Sequence, residues 1–199
     1  VCSSDLSWTT LSSFSGSPAG FPYYINDLYI QANLTNTIFA ATNSGVFKSS
    51  NSGNTWTYIK RGDNTYRATT IAADPGAPAT FYVAFGNFTR DGVYKTTNGG
   101  GAWTKLTSGF PTSGFNRISL GISKSNPQVL YAVLTDSATY DAYAIEKTTN
   151  GGSSWSALPL PTDAGVGGVL GSQGWYNNVV AVHPTNENIG YVSGINIFK

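Results

Sequence analysis

The stretch KTTNGGGAWTKL, Lys95 to Leu106, is where the reading of this chain begins. It places an Asn, a run of Gly and a Trp in the middle of an alternating apolar pattern. It recurs as KSSNSGNTWTYI, Lys48 to Ile59, and as KTTNGGSSWSAL, Lys147 to Leu158. The shared pattern is Ser/Thr-x-Asn-x-Gly-x-x-Trp. Its members are Ser49, Asn51, Gly53 and Trp56; Thr96, Asn98, Gly100 and Trp103; Thr148, Asn150, Gly152 and Trp155. Trp8 carries the downstream half of the pattern alone. The four Trp recur at intervals of about 50 residues, which marks a repeat architecture.

A second motif repeats in phase with the first. TTIAADPGAPATFYVAF, SLGISKSNPQVLYAVL and VVAVHPTNENIGYVSG align without gaps, and DLYIQANLTNTIFAAT is a weaker fourth copy. Pro78, Pro127 and Glu187 share one column; Tyr82, Tyr131 and Tyr191 share another. Each unit reads as four short strands. A Pro/Asn turn joins the first two, and the Asn-Gly box joins the third to a fourth that starts at the Trp. Units of roughly 40–50 residues with four strands predict the blades of an all-β propeller. The Asn can accept N–H groups of its own turn. The Gly supplies positive φ. The Ser or Thr hydroxyl is expected to tie the turn to the neighbouring strand, and the Trp to plug the seam beneath it. The box therefore reads as a latch that serves the fold.

These boxes resemble Asp-box, or BNR, repeats, found in sialidases, sortilin-type receptor ectodomains and xyloglucanase-type glycoside hydrolases. The DPxxP…Y turn and the spacing are most similar to the sortilin and xyloglucanase group and its secreted bacterial relatives. The resemblance covers nearly the whole chain after Leu6. All three boxes carry Asn where that family usually has Asp, which keeps the acceptor and loses charge assistance. The resemblance implies a secreted or cell-surface protein whose partner is a glycan or an extracellular protein or peptide. It also implies that binding or catalysis uses the face opposite the boxes.

Charged residues make up only 11% of the 199 residues, and the net charge is +1. There is no clustered Lys/Arg block, so a nucleic-acid surface is not expected. No apolar run reaches a membrane span, and no signal peptide pattern is visible. Aromatics reach 14%, with 12 Tyr and 5 Trp. One Cys, Cys2, excludes an internal disulfide, and the single His183 cannot form a metal pair. No cofactor or metal is expected. VCSSDL, residues 1–6, looks like sequencing-adapter read-through and is read as a non-native leader. An outer strand is expected at 7–14, blades at about 23–60, 66–108 and 115–158, and an incomplete blade at 176–199. Propellers close with roughly four to eight blades. The chain is therefore expected to be a partial ring whose missing blades belong to a longer protein.

The loops leading into each inner strand are GFPYYIND, RGDNTYRA, GFPTSGFNR and GSQGWYNN. Tyr24, Arg67, Asn116 and Tyr176 occupy equivalent positions and are expected to ring the channel mouth. Tyr23, Tyr66, Phe115 and Trp175 adjoin them. Tyr24, Arg67, Asn116, Trp175 and Tyr176 are the binding candidates, because aromatic faces stack on apolar surfaces while nearby amides hydrogen-bond. A glycoside hydrolase needs two carboxyls across the scissile bond. The candidates are Asp27, Asp91, Asp136 and Asp141, with Asp63 and Asp163 also on this face. None matches a xyloglucanase motif residue by residue. Arg67 and Arg117 do not complete a sialidase pattern, since Glu146 lies on a strand and Glu187 in a turn. Arg61-Gly62-Asp63 is read as a chance string, and Asn33-Leu34-Thr35 and Asn87-Phe88-Thr89 fit glycosylation sequons, which carry no meaning in a bacterial protein. The favoured function is a binding or scaffold propeller, and the alternative is a xyloglucanase-like hydrolase.

Overall fold

The computed structural model describes residues 10, 13–162 and 168–199. The leader, Trp8 and Asp163 lie outside them. The chain is all-β, built as four small sheets in sequence order. The first contains β1 (Phe14–Ser15), β2 (Ile25–Ile30), β3 (Ile38–Thr42), β4 (Gly45–Ser49) and β5 (Trp56–Lys60). The second contains β6 (Ala68–Ala73), β7 (Phe81–Gly86), β8 (Arg90–Thr96) and β9 (Thr104–Leu106). The third contains β10 (Phe115–Ile122), β11 (Leu130–Asp136), β12 (Ala142–Thr148) and β13 (Ser156–Leu158). A short helix, α1 (Gly174–Asn177), leads into the fourth, which contains β14 (Val179–Val182), β15 (Gly190–Ser193) and β16 (Ile197–Phe198). The strands follow one another in antiparallel meanders, as propeller blades do. The exception is β1, which pairs parallel with β5 at the outer edge, Phe14 opposite Trp56.

The period-2 pattern of each strand sends alternate residues to opposite faces, and each face packs on the next sheet. Phe39 of the first sheet meets Phe81, Val83, Phe85 and Tyr94 of the second. Tyr82, Val93 and Leu106 meet Ile118, Leu120, Leu134 and Trp155 of the third. Val133 and Ile145 meet Leu170 and Val192. Burying a Phe such as the inaccessible Phe81 contributes roughly 1.5–3 kcal/mol. Polar side chains stitch the inner strands together. Asn26 Nδ2 donates to the Ala68 carbonyl at 2.7 Å, Thr69 Oγ1 to that of Ile118 at 2.6 Å, and Ser119 Oγ to that of Asn178 at 2.7 Å.

The boxes close on themselves. The Ser49, Thr96 and Thr148 hydroxyls accept the N–H of Gly53, Gly100 and Gly152 and donate to the Oδ1 of Asn51, Asn98 and Asn150. Each Oδ1 then accepts the N–H four residues on, at Thr55, Ala102 and Ser154. The hydroxyl thus works inside the turn and not across to a neighbouring strand, because it is buried beneath its own Gly. Backbone bonds make the link to the neighbouring turn: Ser52 N–H to Asn36, Gly99 N–H to Ala79 and Gly151 N–H to Gln128. Boxes and Pro/Asn turns therefore share one end of the sheets. Gly100, at φ +88, needs its missing Cβ, which would lie 2.7 Å from Ile59 Cδ1.

Candidate functional site

The opposite end of the sheets carries the loops into each inner strand and the β7–β8 and β11–β12 loops. Tyr24 immediately precedes β2 and Arg67 immediately precedes β6. They meet, Arg67 Nη1 donating to the Tyr24 hydroxyl at 3.1 Å. The Arg67 guanidinium lies over the Phe88 ring, 5.4 Å from its centroid. Phe88 in turn stands 5.9 Å from the Trp175 ring, and Trp175 packs edge-on against Tyr176 at 4.4 Å. Arg117 Nη1 donates to the Trp175 carbonyl at 3.3 Å. A continuous line of rings and guanidiniums thus crosses the inner ends of the sheets. Trp175 and Tyr176 are 40% and 51% exposed, and Phe88 is 53% exposed.

Local sequence explains these placements. Gly86, at φ +147, allows the β7–β8 loop to lie against β10, where a Cβ would be 2.1 Å from the Asn116 carbonyl oxygen. Phe88 then sits at φ +63, a conformation a bulky residue adopts only when its surroundings hold it there. The Tyr176 hydroxyl donates to Gln173 Oε1 one turn back, fixing α1 beside the mouth.

Four of the five binding candidates, Tyr24, Arg67, Trp175 and Tyr176, lie along this line. Asn116 does not. It is 4% exposed, and its Oδ1 accepts the Arg117 N–H. The β10–β11 register shifts between Phe115 and Ile118. β2 and β6 carry the same one-residue shift, at Ile25/Asp27 and Ala68/Thr70, but in β10 it lies nearer the loop; a bulge re-aims its neighbours, and Arg117 reaches the mouth where column counting places Asn116. Phe115 is also turned inward, into the core between the second and third sheets. Tyr23 is 88% exposed beside Tyr24, and Tyr66 stands under the Arg61 guanidinium. Phe88 escapes column counting because it sits between β7 and β8, outside the loops that lead into inner strands.

Asp27, Asp91, Asp136 and Asp141 are each engaged by backbone N–H groups, whereas the exposed Asp63 meets Lys105 Nζ at 2.9 Å. Asp27 accepts the Leu28 and Ile71 N–H groups, and burial nevertheless holds its pKa above the ordinary range. Asp91, whose side chain is inaccessible, accepts Asn64 N–H, Thr65 N–H, the Tyr94 hydroxyl and Lys105. Asp136 caps its own loop through Thr139 and Ala138 N–H groups, which lower its pKa. Asp141 accepts the Ala142 and Leu170 N–H groups and so ties the β11–β12 loop to the segment before α1. The box residues Ser49, Asn51, Gly53, Trp56, Thr96, Asn98, Gly100, Trp103, Thr148, Asn150, Gly152 and Trp155 lie at the other end.

No protein-family model matches the chain, nor does any curated protein sequence. Solved structures do. An ancestral GH74 enzyme superposes with a TM-score of 0.65 at 22% identity, over 86% of this chain and 22% of its own. The GH74 xyloglucanase of Xanthomonas campestris gives 0.66 at 19% identity, over 87% of this chain and 27% of its own. YCF48 from Cyanidioschyzon merolae gives 0.50 at 18% identity, over 84% and 52%. The chain therefore spans well under two thirds of the length of each of these proteins. At these identities the likeness is one of fold: the chain is a β-propeller.

Proposed function

We propose that this propeller is an exported carbohydrate-binding module whose site is the mouth end of the sheets. The observation that carries it is the line Tyr24, Arg67, Phe88, Trp175, Tyr176, aromatic faces interleaved with donors. Sugar rings offer apolar C–H faces to stack and hydroxyls to bond, and this surface provides for both. The Asp-box resemblance and the charge-poor composition support export. Two structural neighbours are GH74 enzymes, one of them a xyloglucanase, which supports a glycan as ligand. Binding is favoured over catalysis because Asp27, Asp91, Asp136 and Asp141 each accept main-chain N–H groups that tie the carboxylate to its own loop or a neighbouring one.

The xyloglucanase-like reading is kept alive by Asp27, a half-buried carboxyl on an inner strand with a raised pKa, as a general acid requires. One experiment addresses both. Trp175→Ala and Tyr176→Ala are compared with the parent for retention in gels containing xyloglucan, other β-glucans and pectic polysaccharides, and the same preparations are assayed for released sugar. Loss of one stacking contact is expected to weaken retention by about tenfold, the equivalent of roughly 1.4 kcal/mol. Unchanged retention in both variants would remove the site assignment. Sugar release that disappears in Asp27→Asn would move the reading to hydrolysis.

A further inference from the structure

Two arginines stand at the mouth without an acid partner among the described residues. The ion pairs among the described residues are those of Lys105 with Asp63 and Asp91, on the second sheet. Arg67 and Arg117 have none. Arg117 is the more demanding of the two. Its Nε is buried without a hydrogen-bond partner. Burial lowers its pKa, and the phenol of Tyr24 is the titratable group close enough to act on it. Tyr24 also accepts from Arg67 Nη1 at 3.1 Å. Burying a cation without a counterion is costly unless something else supplies the charge.

Buried side-chain atoms without a partner among the described residues include Asn87 Oδ1, Asn177 Oδ1 and Asn178 Oδ1. Asn87 directly precedes Phe88 and Asn177 directly follows Tyr176, whereas Asn178 turns inward, its Nδ2 donating to the Val133 carbonyl and Thr135 Oγ1. Buried polar groups are nearly always paired in native proteins; the Asn87 and Asn177 amide oxygens are acceptors, which a sugar hydroxyl would satisfy and a carboxylate would not. The exposed, strained Phe88 lies between Arg67 and Trp175, offering a ring face beside a cation.

We propose that the mouth binds an acidic glycan, with Arg67 and Arg117 gripping a ring-borne carboxylate while Phe88 and Trp175 stack on the sugar faces. A guanidinium presents planar paired donors that match a carboxylate, which a neutral sugar cannot exploit. The flanking aromatics select a carboxylate carried on a ring over a free small anion. The proposal rests on the carbohydrate-binding reading and narrows it to uronate-bearing chains.

The test uses tetragalacturonate and its fully methyl-esterified form, which share a backbone and differ in the carboxylate. Binding to the whole chain is measured by calorimetry at low and moderate salt, with the Arg67→Gln, Arg117→Lys and Trp175→Ala variants alongside. The acid is expected to bind at least tenfold more tightly than the ester and to weaken with salt. Arg67→Gln is expected to cost the acid about tenfold and the ester little. Arg117→Lys keeps the charge but loses the paired donors, so an intermediate loss is expected. Equal binding of acid and ester, lost together in Trp175→Ala, would overturn the carboxylate grip and leave the glycan reading intact. Binding of neither, with capture of an acidic peptide instead, would overturn both.

Discussion

At the scale of single residues, the box explains why Asn, Gly and Trp recur at fixed spacing. One hydroxyl, one amide oxygen and one left-handed Gly satisfy a turn that would otherwise leave N–H groups unpaired. Asn98 differs from its two counterparts in a useful way. Asn51 and Asn150 also donate through Nδ2, to Thr55 and Ser154 hydroxyls, whereas Asn98 acts through Oδ1. Asn98→Asp therefore strengthens an acceptor without forfeiting a donor. It is expected to stabilise the chain by about 0.5–1 kcal/mol, read as a higher midpoint in urea. A lower midpoint would show that the amide donates in a way the turn depends on. The Lys at the head of each box also has a role that spacing alone does not reveal. Lys48 and Lys95 reach the carbonyls of Gly99 and Gly151 in the next sheet's box, and each covers an aromatic ring of its own sheet. The repeat of Lys at that position was visible in the sequence; its partner was not, because the contact is between sheets.

At the scale of elements, the third strands β4, β8 and β12 carry Phe47, Tyr94 and Glu146 in one column, all nearly inaccessible. Two are aromatic and fill their side of the sheet. Glu146 has a buried Oε2 without a partner, and burial raises its pKa. A carboxyl whose folded pKa lies above its unfolded value favours folding below the unfolded value, and that advantage disappears as pH rises through the folded one. Glu146→Gln removes the ionisation and keeps the shape. The variant and the parent are expected to melt together at about pH 4 and to separate at about pH 7–8, the variant being the more stable. Parallel melting curves across that range would mean that Glu146 is charged and compensated. Strands of this kind were legible from their alternation, and the boxes fixed where turns fall. The position of the bulge was not legible, since in β10 it falls nearer the loop than in β2 and β6 while the apolar pattern stays almost unchanged, and Arg117 reaches the mouth in place of Asn116.

At the scale of the whole molecule, the sheets divide the chain into two ends with different work. The box end is closed by hydrogen bonds within and between turns. The mouth end gathers exposed rings and two guanidiniums that form no ion pair among the described residues. Column alignment foresaw Tyr24, Arg67, Trp175 and Tyr176 there, because equivalent loops of a propeller converge. It could not foresee Phe88, which arrives through the β7–β8 loop and not through a loop that leads into an inner strand. Nor could it foresee that Asp27, Asp91, Asp136 and Asp141 serve the backbone, which depends on which N–H groups the folded loops leave open. The outward faces of the first and last sheets remain apolar and exposed, Leu28 at 59% and Ile197 at 75%, whereas Leu120, in the register position equivalent to Leu28, is 5% exposed.

The most direct measurement is an NMR titration of the tryptophan indole N–H signals with xyloglucan oligosaccharide and then with tetragalacturonate. The account predicts that the Trp175 signal shifts with a ligand while those of Trp56, Trp103 and Trp155 at the box end stay in place. A shift of a box tryptophan with Trp175 unmoved, or no shift with either sugar, would contradict it.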